Sequence, residues 1–194
     1  LPVMLLGNGI TDPDDPADDA FEEVMRDGLV RPWVINEVNG IRVGLFSLLG
    51  EDADESAPYA VPIMFEKNVK AAKRLVKELK NQDCDVIICL SHSGVSRDKK
   101  GNWAGEDALL ARKVKGIDVI ISGHTHIYLE EPLIVNGVPI VSVGTAGTHV
   151  GKMDLTVTGA GPNLEGYTII PVNDAADAVA SVQEEIEKQK LEID

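Results

Sequence analysis

The amino-acid sequence predicts an α/β fold, in which a mixed sheet with a β–α–β core is followed by antiparallel strands. The apolar motif Asp-Val-Ile-Ile occurs twice, at residues 85–88 and 118–121, with a helical pattern between the two copies. Continuous apolar runs of this length are typical of strands in a parallel sheet. After Ile127 the pattern changes to short apolar runs separated by Asn-Gly and Gly-rich turns, which favour antiparallel hairpins.

The first part of the chain is predicted to build one side of this sheet. Asn39-Gly40 lies between two apolar runs, and this dipeptide is a strong hairpin signal. Residues 65–80 place Val69, Leu75 and Leu79 on one face at helical spacing, with lysines on the other face. The predicted elements, in order, are a short buried strand over 2–6, a short helix near 21–26, hairpin strands over 33–37 and 41–48, and the helix 65–80.

The middle and last parts of the chain are predicted to supply the β–α–β core and the antiparallel layer. A helix over 106–114, stopped by Gly116, joins the two apolar strands, and a right-handed crossover is expected. The later elements are a hairpin (133–135 and 138–143), strands over 150–158 and 164–172, and an amphipathic helix over 175–190. Residues 1–174 are interpreted as part of one domain, and residues 175–194 as a helical linker.

The composition excludes several classes of protein. The chain is 44% hydrophobic, which is enough for a core, and its net charge of −14 disfavours nucleic acid or an anionic membrane as partner. No apolar run approaches the ~18 to 20 residues that span a bilayer, so no membrane insertion is predicted.

Cys84 and Cys89 lie beside and within one apolar run, which predicts buried thiols rather than a disulfide or a metal pair. The opening Leu-Pro-Val-Met-Leu-Leu predicts a strand already in progress, and so an internal piece of a longer protein.

Much of the negative charge lies in one segment. Residues 11–23 carry seven carboxylates and no basic residue, which is half of the net charge. The Asp-Pro-rich part is predicted to be a solvated loop. A calcium loop is the alternative, in which Asp12, Asp14 and Asp18 would converge, but the glycine-bearing spacing of an EF-hand is absent. Residues 51–58 predict a second acid-rich loop, and neither loop is assigned a function.

Three of the four histidines follow the two apolar strands. The first strand runs into Ser-His-Ser-Gly at residues 91–94, and the second into Ser-Gly-His-Thr-His at 122–126. Ligand sites in open α/β sheets form at the carboxyl ends of the strands, so His92, His124 and His126 are expected to converge on one crevice. Imidazole is a ligand for zinc, iron, nickel, copper and manganese. The sequence therefore predicts a metal site at this edge of the sheet.

Other polar groups are interpreted more conservatively. No Asp or Glu follows either strand, because Asp85 and Asp118 open the strands and so lie at the opposite end of the sheet. His149 is predicted to face solvent or to make an ordinary hydrogen bond. A solvated loop is predicted for the basic residues after His92, with contact to a phosphate as the alternative; these are Arg97, Lys99 and Lys100.

The histidine motifs and their flanks resemble those of the calcineurin-like metallophosphoesterases. Within that family the chain is most similar to the branch of 5′-nucleotidases, UDP-sugar hydrolases and 2′,3′-cyclic-nucleotide phosphodiesterases. The similarity extends over nearly the whole chain, with the acidic stretch as the main exception. The segments that carry it are residues 1–8, 31–33, 39–44, 91–92, 105–111, 116–126, 147–151 and 167–173.

The resemblance implies part of a four-layer αββα sandwich that holds two divalent metal ions. His92 and His124 would bind one ion and His126 the other, with zinc, manganese, iron, nickel and cobalt not distinguished. The remaining family ligands come from Asp-x-His, Gly-Asp and Gly-Asn-His motifs that this sequence lacks. Gly9 follows Asn8 where that last motif has its catalytic His, so Asn8 is not assigned as a ligand. This chain would therefore bind one ion or none, and its catalytic and substrate-binding residues stay unassigned.

The activity implied by the resemblance is metal-dependent hydrolysis of phosphate esters, most directly of nucleotides. The small substrate and the N-terminal half of the same protein would be the partners of this chain. Export to the periplasm or the extracellular space is implied by the family alone. Two alternatives stay open: a hydrolase of the same fold with a non-nucleotide substrate, and a non-catalytic or truncated module used for binding or assembly. The chain alone is expected to be inactive.

Overall fold

A computed structural model describes residues 2–51, 55, 59–159, 161–173 and 179–193. Most of the acid-rich loop predicted over 51–58 and the predicted start of the last helix at 175 lie outside these residues. Four helices are described, namely α1 (Asp19–Arg26), α2 (Asn68–Lys80), α3 (Glu106–Lys113) and α4 (Ala180–Ile193). The strands are β1 (Met4–Leu5), β2 (Gly9–Ile10), β3 (Val30–Arg31), β4 (Trp33–Val38), β5 (Ile41–Leu49), β6 (Met64–Phe65), β7 (Val86–His92), β8 (Ser96–Arg97), β9 (Trp103–Ala104), β10 (Val119–Ser122), β11 (Leu133–Val135), β12 (Val138–Val141), β13 (His149–Thr158) and β14 (Gly161–Pro171).

A six-stranded mixed sheet forms the centre of the molecule. Its order is β11-β12-β10-β7-β5-β4, in which β5, β7, β10 and β12 are parallel and the two edge strands are antiparallel to their neighbours. The predicted β–α–β unit is confirmed, because β7 and β10 pair directly and α3 connects them. Both Asn-Gly hairpins are confirmed as well. Asn39 and Asn136 have φ of 52° and 53°, the left-handed conformation that such two-residue turns require.

Helices α2 and α3 cover one face of the central sheet, and the core lies between them. Alternate residues of each strand point to this face. Phe46 of β5, Cys89 of β7 and Ile120 of β10 are completely buried there, together with Leu75 and Leu79 of α2. The apolar stripe that predicted the helix 65–80 thus packs as expected, although α2 begins only at Asn68.

The opposite face of the sheet is covered less completely, although continuous apolar runs are typical of strands that are buried on both faces. Ile88 and Leu90 are half-buried and Ile121 is 45% exposed. The antiparallel hairpin β13–β14 lies over part of this face and encloses a cavity of about 340 Å³ with it. In the described residues the chain therefore supplies one helix layer, the central sheet and two strands of a second layer, in agreement with part of an αββα sandwich.

The strand predicted over residues 2–6 is shorter and more exposed than expected. Only Met4 and Leu5 are in β1, which pairs in parallel with β3, and Met4 is 60% exposed. The predicted burial was wrong because this pair forms a separate two-stranded sheet rather than a strand of the central one. In the described part of the chain, no helix has both the length and the apolar character needed to cross a membrane.

Candidate metal centre

The histidines lie at the carboxyl ends of two neighbouring strands. In the parallel pair formed by β7 and β10, Ser91 stands opposite Ser122, so the chain leaves both strands at the same edge. His92 is the last residue of β7, and His124 and His126 follow β10. The predicted convergence arises from this register, because matched strand ends bring the segments after them together.

The imidazoles of His92 and His124 are in contact. Their ring centroids are 5.1 Å apart and the ring planes are tilted by 59°. Desolvation lowers the pKa of His92, and the neighbouring charges of His124 and His126 lower it further. A lowered pKa favours the neutral imidazole, which is the form that binds a metal ion.

His126 is near this pair but is not part of a three-ligand group with it. Among the described residues, no three His, Cys, Asp or Glu side chains are arranged so that they would hold one metal ion. His124 is half-buried, whereas His92 and His126 are exposed. The chain thus presents two paired imidazoles and a third imidazole nearby.

The backbone of the second histidine segment is unusual. His124 and His126 have φ of 73° and 55°, in the left-handed region that residues with a Cβ seldom adopt. Such conformations cost roughly 1–3 kcal/mol each and persist where the surrounding structure imposes them. Gly123 permits the close approach of the two segments, because a Cβ there would lie 3.2 Å from Nδ1 of His92.

The Thr125 side chain points to the first histidine segment. A Cβ on Gly94 would lie only 2.4 Å from Cγ2 of Thr125, so the threonine fills the space that Gly94 leaves empty. Gly94 also has a φ of +87°, which favours glycine independently. The two segments therefore interlock through Thr125 and Gly94.

A buried carboxylate that the sequence did not reveal lies beneath the histidines. Asp107, in the first turn of α3, is completely buried and accepts hydrogen bonds from the hydroxyls of Ser91 and Ser122, each at 2.5 Å, and from the Gly94 N–H at 3.1 Å. Burial raises the pKa of Asp107, and these hydrogen bonds oppose the increase. No Asp or Glu follows either strand in the sequence, but Asp107 reaches the same strand ends from a helix.

The buried polar groups continue away from Asp107 towards the start of the chain. The hydroxyls of Ser91 and Ser93 are 3.0 Å apart, and the Asn68 amide donates to Ser93 at 2.9 Å. Asn8 in turn donates to the Asn68 oxygen at 3.0 Å and accepts from the Leu49 N–H at 2.9 Å. Asn8 thus has an internal structural role.

A cleft opens beside His92. Its volume is about 390 Å³, and His92 and Gly123 line it together with Ser47 and the apolar residues Leu5 and Leu90. The cleft lies on the sheet face that the helices do not cover. A molecule that enters it would meet the His92 imidazole.

The other predicted groups lie apart from this cleft or are engaged locally. Arg97 stacks over Trp103 at 3.6 Å and donates to the Gly101 carbonyl, which supports the solvated-loop interpretation of the basic segment. His149 is half-buried, lies 2.9 Å from the Thr148 hydroxyl and packs against a tyrosine, as expected for a histidine with a satisfied hydrogen bond.

The remaining acids and the thiols do not join the candidate site. Asp118 accepts from the Ile87 N–H at 2.7 Å at the amino end of the strands, as expected. In the acidic segment, Asp18 accepts from the Asp12 N–H, and the calcium-loop candidates Asp12, Asp14 and Asp18 are not among any group of described residues that would hold a cation. Both thiols are free; Cys89 is buried and Cys84 is half-buried, less covered than predicted.

The donor set fits a divalent transition metal. Imidazole nitrogens are ligands of zinc, iron and nickel, and the contact between His92 and His124 places two of them together. A tetrahedral zinc site needs about four ligands, or three and a water. Two imidazoles would therefore supply only part of one coordination sphere.

Comparisons with known proteins show the family of this chain. A family model described as calcineurin-like phosphoesterase matches residues 19–128, which include all three histidines and Asp107. The trifunctional nucleotide phosphoesterase YfkN of Bacillus subtilis is 27% identical over 172 residues, which cover 85% of this chain and 11% of that protein. The 5′-nucleotidase of Rattus norvegicus is 26% identical over 186 residues, covering 86% of this chain and 31% of that protein.

A solved structure with the same fold belongs to a protein of different chemistry. The sulfate thiohydrolase SoxB of Thermus thermophilus superposes with a TM-score of 0.73 at 23% identity, covering 97% of this chain and 32% of that one. Identity at this level shows the fold alone. The chain spans between about a tenth and a third of the length of these proteins.

Proposed function

The chain belongs to the calcineurin-like phosphoesterase family, and we propose that it forms part of a metal-dependent phosphoric ester hydrolase that acts on nucleotides, as a 5′-nucleotidase does. The observation that carries the proposal is the contact between His92 and His124 at the carboxyl ends of adjacent strands. The nucleotide preference is supported by relatives named as nucleotide phosphoesterase and 5′-nucleotidase.

Three residues of this chain are proposed as metal ligands. His92 and His124 bind one divalent ion and His126 contributes to a second. Bound ions supply an activated water and neutralise charge on the phosphoryl group during hydrolysis.

The chain's own residues orient and expose the imidazoles. Ser91 and Ser122 fix the ends of the two strands through Asp107, and Gly123 lets the segments approach. Desolvation holds the pKa of His92 below its usual value, which favours the neutral imidazole that can bind a metal ion. Hydrolysis adds water across the P–O ester bond and releases an alcohol and phosphate.

The proposal also covers the rest of the protein and its location relative to the cell. The other ligands and the catalytic residue would come from a preceding segment of the same protein, since this chain spans a third or less of its relatives. Residues 175–194 would link the catalytic domain to a further one. We place the protein in the periplasm or outside the cell, by analogy with the family.

The first test is a cobalt titration of this chain, followed by an assay with AMP and p-nitrophenyl phosphate. We expect weak binding of Co²⁺ and negligible turnover, because the chain supplies too few ligands for a complete site. His92→Ala should abolish the weak binding, whereas His149→Ala, which removes a histidine outside the pair, should leave it unchanged. Robust turnover by this chain, or Co²⁺ binding that survives His92→Ala, would contradict the proposal.

The second test concerns substrate and catalysis in a longer form of the protein that includes the preceding segment. Nucleotide monophosphates should be hydrolysed faster than sugar phosphates, and thiosulfonate esters should not be cleaved. If that segment lacks the Asp-x-His and Gly-Asn-His motifs, the chain is instead a binding or assembly module. The two outcomes separate the hydrolase from its non-catalytic alternative.

A further inference from the structure

The histidine segments share one buried anchor. Asp107 is completely buried, lies on neither segment's strand, and accepts a hydrogen bond from the last part of each. One carboxylate oxygen binds the Ser91 hydroxyl, next to His92. The other binds the Ser122 hydroxyl, two residues before His124, and also the Gly94 N–H.

We propose that Asp107 is a positioning residue that sets the distance between the His92 and His124 imidazoles. The part of this proposal that concerns metal affinity rests on the proposed function, whereas the part that concerns ring placement does not. Asp107 acts through the two serines and touches neither ring, so it is not assigned as a ligand.

The geometry favours positioning over a purely structural role. Each serine is adjacent or nearly adjacent to a histidine, so a shift of either strand end moves an imidazole with it. The left-handed φ values of His124 and His126 need support from neighbouring structure, and the Asp107–Ser122 hydrogen bond fixes the strand end from which this segment starts. Hydrogen bonds to a charged acceptor are among the stronger ones, which suits a fixed anchor.

Asp118 provides a matched control at the opposite end of the same two strands. Its carboxylate also links β10 to β7, because it accepts from the Ile87 N–H at 2.7 Å. Asp107 and Asp118 are both at least half-buried, and burial raises the pKa of each carboxyl. Loss of either carboxylate should therefore loosen the strand pair, but only Asp107 lies beneath the histidines.

The test compares Asp107→Ala with Asp118→Ala in the 194-residue chain without metal. The measurement is the NMR nuclear Overhauser contact between the ring protons of His92 and His124, whose centroids are 5.1 Å apart. We expect the contact to be lost in Asp107→Ala and kept in Asp118→Ala. Asp107→Asn, which keeps one acceptor oxygen, should restore it in part. A contact of unchanged strength in folded Asp107→Ala would overturn the proposal.

A second readout uses Co²⁺ as the probe. Groups that orient metal ligands through hydrogen bonds typically contribute 10- to 100-fold to metal affinity, so Asp107→Ala should weaken binding about tenfold or more relative to Asp118→Ala. If the wild-type chain binds no Co²⁺, the proposed metal function fails while the ring contact still decides the role of Asp107. If the affinity for Co²⁺ falls in Asp107→Ala but the ring contact persists, Asp107 acts by its charge and the positioning role is wrong.

If Asp107→Ala does not fold, Ser122→Ala replaces it as the test variant. It removes only the link from Asp107 to β10 and leaves the carboxylate bonded to Ser91 and Gly94. The ring contact should weaken in this variant as well. A contact as strong as in the wild type would overturn the proposal in the same way.

Discussion

The two faces of the central sheet carry similar side chains and have very different surroundings. Ile120 is completely buried against the helices, whereas Ile121, the next residue of β10, is 45% exposed on the opposite face. On β7, Cys89 is completely buried, and Ile88 and Leu90 on either side of it are half-buried. The difference arises from what covers each face, because the strand itself alternates evenly.

Because of this difference, one face of the sheet contributes most of the stabilising core, and the other face carries the candidate site. Helices α2 and α3 cover one face completely, and the main core lies there. His92 follows Ile88 and Leu90 on the other face, where the cleft opens and only the β13–β14 hairpin gives partial cover. We infer that the helix-covered face holds the fold together and that the open face presents the imidazoles.

The largest expected effect compares two neighbouring isoleucines. Ile120→Ala should lower the free energy of unfolding by about 3 kcal/mol, because it removes buried atoms and leaves a cavity. Ile121→Ala should lower it by about 1 kcal/mol or less, since nearly half of that side chain is already exposed. Urea denaturation followed by circular dichroism measures both values.

The two variants make the same chemical change in the same strand, so strand propensity cancels between them. Equal losses of stability would mean that both faces are equally well packed in solution. That result would remove the basis for separating the stable face from the open one.

Much of the fold was predictable because its signals are local. Asn39-Gly40 and Asn136-Gly137 specify their turns within two residues, and the amphipathic pattern of α2 needs only its own segment. The covering of the sheet was not predictable, because an apolar strand gives the same signal whatever packs against it. The burial of residues 2–6 was predicted wrongly for the same reason, since an apolar composition does not show which strand the segment will pair with.

The candidate site was predictable in part. The three histidines were found because they follow two copies of one strand motif, and parallel strands end at a common edge. Asp107 was missed because it comes from the start of a helix. A helix-start aspartate usually has a local role at that terminus, so its position alone does not signal contact with two strand ends. The role of His92, His124 and His126 as metal ligands stays a prediction.

A smaller effect of opposite sign is expected on the hairpin that covers the open face. The Tyr167 hydroxyl is buried beside the cavity under β13–β14, and it has no hydrogen-bond partner among the described residues. A buried polar group without a partner is destabilising, so Tyr167→Phe should raise the free energy of unfolding by about 1 kcal/mol. Urea denaturation measures the change. A loss of stability would show that the hydroxyl finds a partner in solution and that the hairpin sits differently on the sheet.

The smallest effect is expected on the outer side of the same hairpin. Lys152 and Asp154 form an ion pair of 2.6 Å, but their side chains are 59% and 56% exposed. Solvent screens such pairs, so Lys152→Ala should change the free energy of unfolding by less than about 0.5 kcal/mol. Met153→Ala is the matched variant, because Met153 is half-buried and lines the cavity on the inner side, and it should cost about 1 kcal/mol. If Lys152→Ala costs as much as Met153→Ala, the hairpin is held by its outer ion pair, and the cover over the open face does not depend on apolar contact.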